Sequence, residues 1–432
     1  MKINEVWNES QLFDDPVTGR PVRRLTTAGR INQTPTYHTN SGFSADGRFL
    51  VFASVREGAT WIVRAEVESG ELKALWRAPG IGDRNYIHRG MGLDFDDVDG
   101  RGICGNRVCL APKSQVAVFT CERQIIAVDI ETCDSRVLLE ECGEDWIFGA
   151  PCASPDEEWV AICLSSAHPQ VLAGEPITRD YKSYPDHKLR LIRVPLNGRG
   201  TACCAPTKDG VEILYEHQPA QSAHCAFCPT DSELLYFDLD LPPRYWAGGD
   251  GKTPRIRLLD LTTRETRPLR QSYPGPFQSH QAWLWDGSAL AYHGGLVGGG
   301  VYIGITRTDG ETIWEREFPE AKSYGHLTPD AKRPALILDG DFSPDLLQWL
   351  YYDEDGDKKN TGSLLPGGPK GAAHKRPPVF FFLEAICRHG TEWKSIPGQY
   401  SHPHPLTDAS GRWISFTAAH GGRSDVYVVD TG

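Results

Sequence analysis

The sequence predicts an all-β protein, with residues 1–432 forming one seven-bladed β-propeller domain. Three observations lead there: the composition, a hydrophobic phrase that recurs along the whole chain, and a last copy of that phrase whose missing strand is found near the N-terminus. With 44 Gly, 31 Pro, 12 Trp, 15 Tyr and 16 Phe against 2 Met, the chain is built for short strands and tight turns rather than packed helices. Its 432 residues exceed the usual single-domain length, yet closed all-β architectures reach this size as one domain.

The recurring phrase is a small polar stretch, a turn rich in Asp, Pro and Gly, a hydrophobic strand, a break, and a second strand that ends in Asp or another polar residue. FSADGRFLVFAS, with TWIVRAEVESGELKALW after it, is the clearest copy, and APKSQVAVFTCERQIIAVDIETCDSRVLL is the second. Further copies begin at CASPDEEWVAICLSS, CAFCPTDSELLYFDLD, AWLWDGSALAYHGG, HLTPDAKRPALILDGD and HPLTDASGRWISFTAAH, making seven. Each holds three or four strands of ordinary length, joined by hairpin turns such as ADGR and DASGR. A sheet of that size cannot bury both faces alone, so radial stacking of the copies follows. The last copy ends with DVYVVD as its third strand, and PVRRLT at residues 21–26 supplies a fourth, tying the ring shut with both chain ends. Stretches around 168–190, 238–254 and 341–378 read as Pro-, Gly- and Asp-rich insertions on the rim.

A formal net charge of −12 disfavours nucleic acid and anionic membrane surfaces as partners, and leaves an acidic ligand to be met by a local cationic site. The N-terminal MKINEVWNESQLFDDPVTGRP has no apolar signal core, and no run of 18 apolar residues occurs, so a soluble, cytoplasmic protein is expected. Several of the 12 cysteines fall in strand-like runs such as VAVFTCE and WVAICLS, and the set reads as reduced core thiols. Cys225 and Cys228 have zinc-knuckle spacing, but residues three apart on a strand face opposite sides.

Histidines stand just before the repeated phrase in several copies: His38, His224, His280, His326, and the pair His402 and His404. These positions lie at the mouth of a propeller's central channel. His38 and His224 read as hydrogen-bonding groups between blades. The run GQYSHPHP is different in kind, because on an extended strand His402 and His404 point to one face while Gln399 reaches in from the loop. Pro403 and Pro405 suit an inner strand with a free edge. Two imidazoles and an amide oxygen, completed by His326 one blade earlier, make a neutral ligand set for a divalent first-row ion, which keeps its positive charge for an anionic substrate.

These residues resemble the oligogalacturonate lyases, seven-bladed enzymes of pectin breakdown. The resemblance is carried by QYSHPHP, by SHQAWLWDGSALAY at 279–292, by the histidine of GHLTPD, and by RIRLLDL at 255–261. It is strong across the C-terminal half and weak over residues 1–200. It implies a manganese ion, or another divalent first-row metal, held by His326, Gln399, His402 and His404; a catalytic base at His280; and an arginine partner at Arg255. It departs from the family at Gln281, where an acidic residue is usual, and at 238–254. The implied reaction is β-elimination on short uronic-acid oligosaccharides: His280 takes the C5 proton near neutral pH, while the metal and Arg255 hold the carboxylate into which charge spreads, leaving a 4,5-unsaturated product. His88, Arg89, Arg244 and Tyr400 are further candidates for contacting an acidic oligosaccharide.

A lyase for a different uronide, of glucuronate or ulvan type, is the nearest alternative, and a non-catalytic interaction propeller the next. A propeller-bearing serine peptidase would need a GxSxG turn, which the chain lacks. The runs DFDDVDG and DEDGD fail the EF-hand spacing, and GGLVGGGVYIG leads into a strand rather than a helix, so it is not a phosphate loop.

Overall fold

The structure is a computed structural model that describes residues 1–34, 41–78, 108–121, 124–140, 146–166, 187–197, 210–220, 222, 224–241, 253–321, 325–352, 382–396 and 398–432. Among these the chain is all β apart from one 3-10 turn, Gly398–Ser401, and no helix is long and apolar enough to cross a membrane.

The strands fall into repeated antiparallel meanders. In chain order, their first strands are Ile31–Gln33, Val108–Ala111, Cys152–Ala153, Cys225–Cys228, Ser279–Trp283, Leu327–Pro329 and Leu406–Thr407. The second strands, Phe49–Arg56, Val116–Cys121, Trp159–Ser166, Asp231–Asp238, Ala289–Gly295, Ala335–Leu338 and Trp413–His420, are the hydrophobic runs of the repeated phrase. Alternation of side chains lets both faces of each sheet be covered by neighbours, so these second strands are largely buried, the first half of Asp231–Asp238 excepted. Apolar clusters join successive meanders. Phe49 and Val51 of the first pack with Phe119 and Val128 of the second, Ala289 and Ile303 of the fifth with Leu336 and Leu350 of the sixth, and Trp349 and Ile386 of the sixth with Phe416 and Val429 of the last. Leu50 and Phe52 of the first meander also share a cluster with Val426 and Val428 of the last.

One cavity of about 370 Å³ is lined by residues from every meander, among them Phe43, Pro112, Ala153, Phe227, Trp283, Thr328 and Leu406. The inner strands of the described sheets therefore converge on a common space.

Both chain ends meet in the last meander. Pro21–Arg24 pairs antiparallel with Arg423–Asp430, setting Val22 opposite Val429, and Leu25 and Thr26 continue the contact through hydrogen bonds with Val426. The preceding loop also fastens the sixth sheet: Asp15 accepts the Arg388 amide at 2.7 Å and Arg20 reaches Glu384 at 2.8 Å.

The structure corrects the insertion boundaries. Residues 341–378 include Leu346–Tyr351, the third strand of the sixth sheet, so extra chain begins only after it. The stretch 238–254 likewise starts inside a strand that ends at Asp238, with Asp240 still buried; most of 168–190 lies outside the described residues. The eight described cysteines are free thiols and seven of them are buried. Cys225 and Cys228 lie in one buried strand.

Candidate metal and active site

His326 immediately precedes the inner strand Leu327–Pro329, and the antiparallel partner strand ends beside it at Leu338. The next residue, Asp339, is therefore aimed back at His326. It accepts the His326 backbone amide on one oxygen at 2.6 Å and the ring Nδ1–H on the other at 3.0 Å. Burial alone would raise the Asp339 carboxyl, but the charge and hydrogen bonds of His326 outweigh it and hold the group below the usual carboxylate value. In its neutral form, with Nδ1 donating to Asp339, His326 has its lone pair on Nε2, the tautomer that suits a metal ligand.

Gly325 is required by this wrap. A Cβ there would stand 2.8 Å from oxygens of both Asp339 and Asp341 and 2.9 Å from the Gly340 nitrogen.

His402 and His404 do not lie on an inner strand, as the sequence suggested. Gly398–Ser401 is a 3-10 turn, pairing begins only at Leu406, and His404 has a φ of 45°. The two prolines, which cannot donate to a ladder, leave this run irregular. The rings still converge, because the His404 backbone N–H is tied to Asp339 at 3.1 Å across the sheet boundary. His404 Nε2 stands 3.1 Å from His326 Nε2. Two nitrogens each bound at about 2.1 Å to one ion at a right angle would be about 3.0 Å apart.

The ligand atoms of His326, His402 and His404 all lie within 4.8 Å of one another. His402 Nδ1 is buried without a hydrogen-bond partner, and burial, reinforced by His326, pushes its pKa down to about 4. A neutral ring with an orphaned nitrogen is the form that binds a metal. These side chains fit a divalent first-row ion. Gln399 lies in the 3-10 turn, but its side chain is outside the described residues.

His280 comes to the same point from the fifth sheet. Its ring centroid is 4.3 Å from that of His326. The strand Ser279–Trp283 breaks register between Ser279 and Ala282, and His280 takes a φ of 50°, a bulge that turns the ring out of the ladder. Its Nδ1 lies 2.8 Å from the Gly325 carbonyl and 2.8 Å from His293 Nε2. A carbonyl only accepts, so Nδ1 carries the hydrogen and Nε2 bears the lone pair, as a base requires. His293 is fully buried and held neutral, pushed to about 3 by burial and then by His326. Asp341, 4.0 Å beyond His293, is raised to about 7, first by burial.

Arg255 sits behind this constellation. Its Nε donates to Asp240 at 2.6 Å and its Nη2 to Asp238 at 2.7 Å, and its backbone N–H donates to Gln278 Oε1. Asp238 also accepts from His224 Nδ1 at 2.8 Å and from Gln281, so His224 has a structural partner. Burial would raise Asp238, but Arg255, with His224 and Gln281, holds it below the usual range. The guanidinium thus bridges two buried carboxyl groups, of which Asp240 is raised, first by burial, next to the residues that flank His280. Tyr400 packs against the cluster of Ile31, Val55, Ile396 and Ala419. His38, His88, Arg89 and Arg244 lie outside the described residues.

Sequence reasoning missed Asp339, Asp341 and His293. A signal existed, because each partner follows its histidine by one hairpin: 13 residues from His280 to His293, 13 from His326 to Asp339, and 14 from His224 to Asp238.

Fold and site together define an all-β scaffold of repeated meanders, carrying a buried multi-histidine site of the metal-binding kind. No protein-family model matches the chain. The chain is similar to oligogalacturonate lyases over nearly its whole length. It is 24% identical over 427 residues to the oligogalacturonate lyase of Dickeya dadantii, covering 96% of this chain and 94% of that protein. It is 23% identical over 439 residues to the oligogalacturonide lyase of Pectobacterium atrosepticum, covering 99% and 97%. Among solved structures, an oligogalacturonate lyase in complex with manganese superposes with a TM-score of 0.69 at 18% identity, covering 100% of this chain and 98% of that one. The oligogalacturonate lyase of Vibrio parahaemolyticus superposes with a TM-score of 0.72 at 18% identity, covering 100% and 99%.

Proposed function

We propose that the protein is a divalent-metal-dependent lyase that cleaves short oligogalacturonates by β-elimination. The observation that carries this reading is the meeting of four histidines from three successive repeats: His326, His402 and His404 with converging nitrogens, and His280 with its ring 4.3 Å from that of His326. Relatives named for this activity match nearly the full chain, and one solved relative is a manganese complex.

In this reading His326, His402 and His404, with Gln399, hold Mn2+ or another first-row ion. When bound, the ion supplies positive charge for the uronate carboxylate into which charge spreads during proton removal. His280 Nε2 takes the C5 proton; the C5–H electron pair forms the C4–C5 double bond as the C4–O bond breaks, and its electrons leave on the oxygen of the departing sugar, which is then protonated. The Gly325 carbonyl, 2.8 Å from Nδ1, holds the hydrogen on the far side of the ring and keeps the lone pair on Nε2. The resemblance implies a role at the substrate for Arg255, while its carboxylate cage supports a positioning role through Gln278 and Gln281 on either side of His280.

The same reading takes the scaffold as one seven-bladed propeller spanning residues 1–432. It is supported by the cavity lined from every meander, the apolar cluster shared by the first and last of them, and the pairing of Pro21–Arg24 with Arg423–Asp430.

The test is incubation with Mn2+ and oligogalacturonates, following ultraviolet absorbance of the unsaturated product. His280→Ala should abolish turnover while leaving Mn2+ bound. Product only from glucuronate- or ulvan-type oligomers would move the substrate, and no product from any uronide with metal bound would overturn the lyase reading.

A further inference from the structure

A polyanionic oligosaccharide must find a cation and a sugar-sized surface next to the metal site, on a chain whose net charge is −12. Arg255 is occupied by Asp238 and Asp240. Beside His402 the structure offers a different pair, Trp393 and Lys394, on the loop that leads into the 3-10 turn. The Trp393 ring lies 5.2 Å from the His402 ring and 5.9 Å, edge to face, from His389. Its Nε1–H donates to the Pro344 carbonyl at 2.7 Å, and its far edge lies over Gly340, where a Cβ would come within 3.4 Å of the ring. The indole is therefore pinned on three sides, yet it stays partly exposed where a core tryptophan would be covered.

Lys394, next in sequence to Trp393, is exposed. Its backbone is left-handed, with φ 66°, and is held there by Ser401 Oγ, which accepts the Lys394 N–H at 3.0 Å. Thr391 Oγ1 donates to the Ser401 carbonyl at 2.8 Å and closes the same loop. The neighbouring Glu392 is occupied, its carboxylate accepting the Gly421 N–H at 2.9 Å. The loop thus holds a partly exposed indole against the His402 ring and carries an exposed cation at the adjoining residue.

From this arrangement we infer that Trp393 and Lys394 form a subsite for a second uronate residue, the indole stacking on the pyranose ring and the ammonium pairing with its carboxylate. The inference rests on the proposed function and deepens it. It makes the substrate an oligomer of at least two acidic sugars, with one unit at the metal and the next on this platform.

The experiment is calorimetric binding of trigalacturonate to Mn2+-loaded protein, in the His280→Ala background to prevent turnover. Lys394→Gln should weaken binding about 5-fold and flatten its salt dependence, and Trp393→Ala should weaken it about 10-fold. Trp393→Phe, which keeps a ring against His402, should restore most of the loss. A parallel Mn2+ titration should find metal affinity unchanged in Lys394→Gln and Trp393→Phe. Trigalacturonate affinity equal to the parent's in both Lys394→Gln and Trp393→Ala would overturn the subsite while leaving the lyase reading intact. No binding by the parent protein would overturn both.

Discussion

Asp339→Asn tests the metal reading at its most connected atom pair. The carboxylate is fully buried and accepts from the His326 amide at 2.6 Å, the His326 Nδ1–H at 3.0 Å and the His404 amide at 3.1 Å. It thus orients two ligands from different sheets. An amide cannot serve all three. If its NH2 takes the first position, it faces the His326 backbone N–H; if it takes the second, it faces the His404 N–H and drives the His326 hydrogen onto Nε2, the ligand atom. A buried donor facing a donor costs about 1–3 kcal/mol, and loss of such a partner typically lowers metal affinity 10–100-fold. At a free Mn2+ concentration 100 times the parent Kd, binding stabilises the fold by about 2.7 kcal/mol; with Kd raised 100-fold the gain at that concentration falls to about 0.4 kcal/mol. Thermal melts of parent and variant, with Mn2+ and with chelator, read this difference directly. A variant with the parent's metal-induced increase in Tm would refute the assignment of Asp339 as the orienting group, and with it the tautomer argument for His326.

Arg255→Met should destabilise the fold by about 3–5 kcal/mol, because it strands Asp238 and Asp240 as buried carboxylates; urea unfolding checks this, and a variant of parental stability would show that the cage is not a structural ion pair. Gly325→Ala must displace the Asp339–Asp341 wrap and should lower both stability and Mn2+ affinity, by about 1–3 kcal/mol for the fold. Val22→Asp buries a charge opposite Val429 and should unfold the last meander with the global transition, seen as a lower urea midpoint. For metal-free protein, His293, His389 and His402 are pushed to about 3, 4 and 4, each first by burial, below an unfolded value of about 6.5. Their contribution is complete above about pH 6.5 and is lost as pH falls toward the folded values, while Asp341, raised to about 7, works in the opposite sense between about pH 4 and 7. Asp240, also raised first by burial, opposes the histidines in the same sense as Asp341, but the three histidines outweigh the carboxyls, so stability should fall as pH drops from about 6 to 5, measurable as a falling urea midpoint; a flat profile would contradict the buried neutral histidines.

The all-β meanders were legible because each hydrophobic run of the repeated phrase is the second strand of its sheet, and burial on both faces makes most of such runs uniform in character. The meeting of His326 with His404 was legible from their matching places before successive inner strands. The backbone that brings them together was not, since His-Pro-His-Pro alternates like a strand while its prolines prevent one. Asp339 and Asp341 were hidden for a different reason: LDGD reads as the start of a Gly- and Asp-rich insertion, and only the hairpin register returns it to His326. The cage around Arg255 was obscured likewise, because DLDL opens a stretch that reads as a rim loop, although its two carboxylates are buried.

Site and scaffold are coupled through the boundary between the sixth and last sheets. His326 belongs to the sixth and His402 and His404 to the last, while Asp339 of the sixth binds the backbone of His404. A bound ion would therefore act as a cross-strap at this boundary and stabilise the contact between the two sheets. That boundary is also where the chain ends converge: Pro21–Arg24 completes the last sheet, and Asp15 and Arg20 reach the sixth. Strain at His404, whose φ is 45°, persists only while its surroundings hold it. Loosening the N-terminal strand should thus release His404 before it disturbs the core of the other sheets, so metal affinity is expected to report on this closure more sensitively than overall β content does.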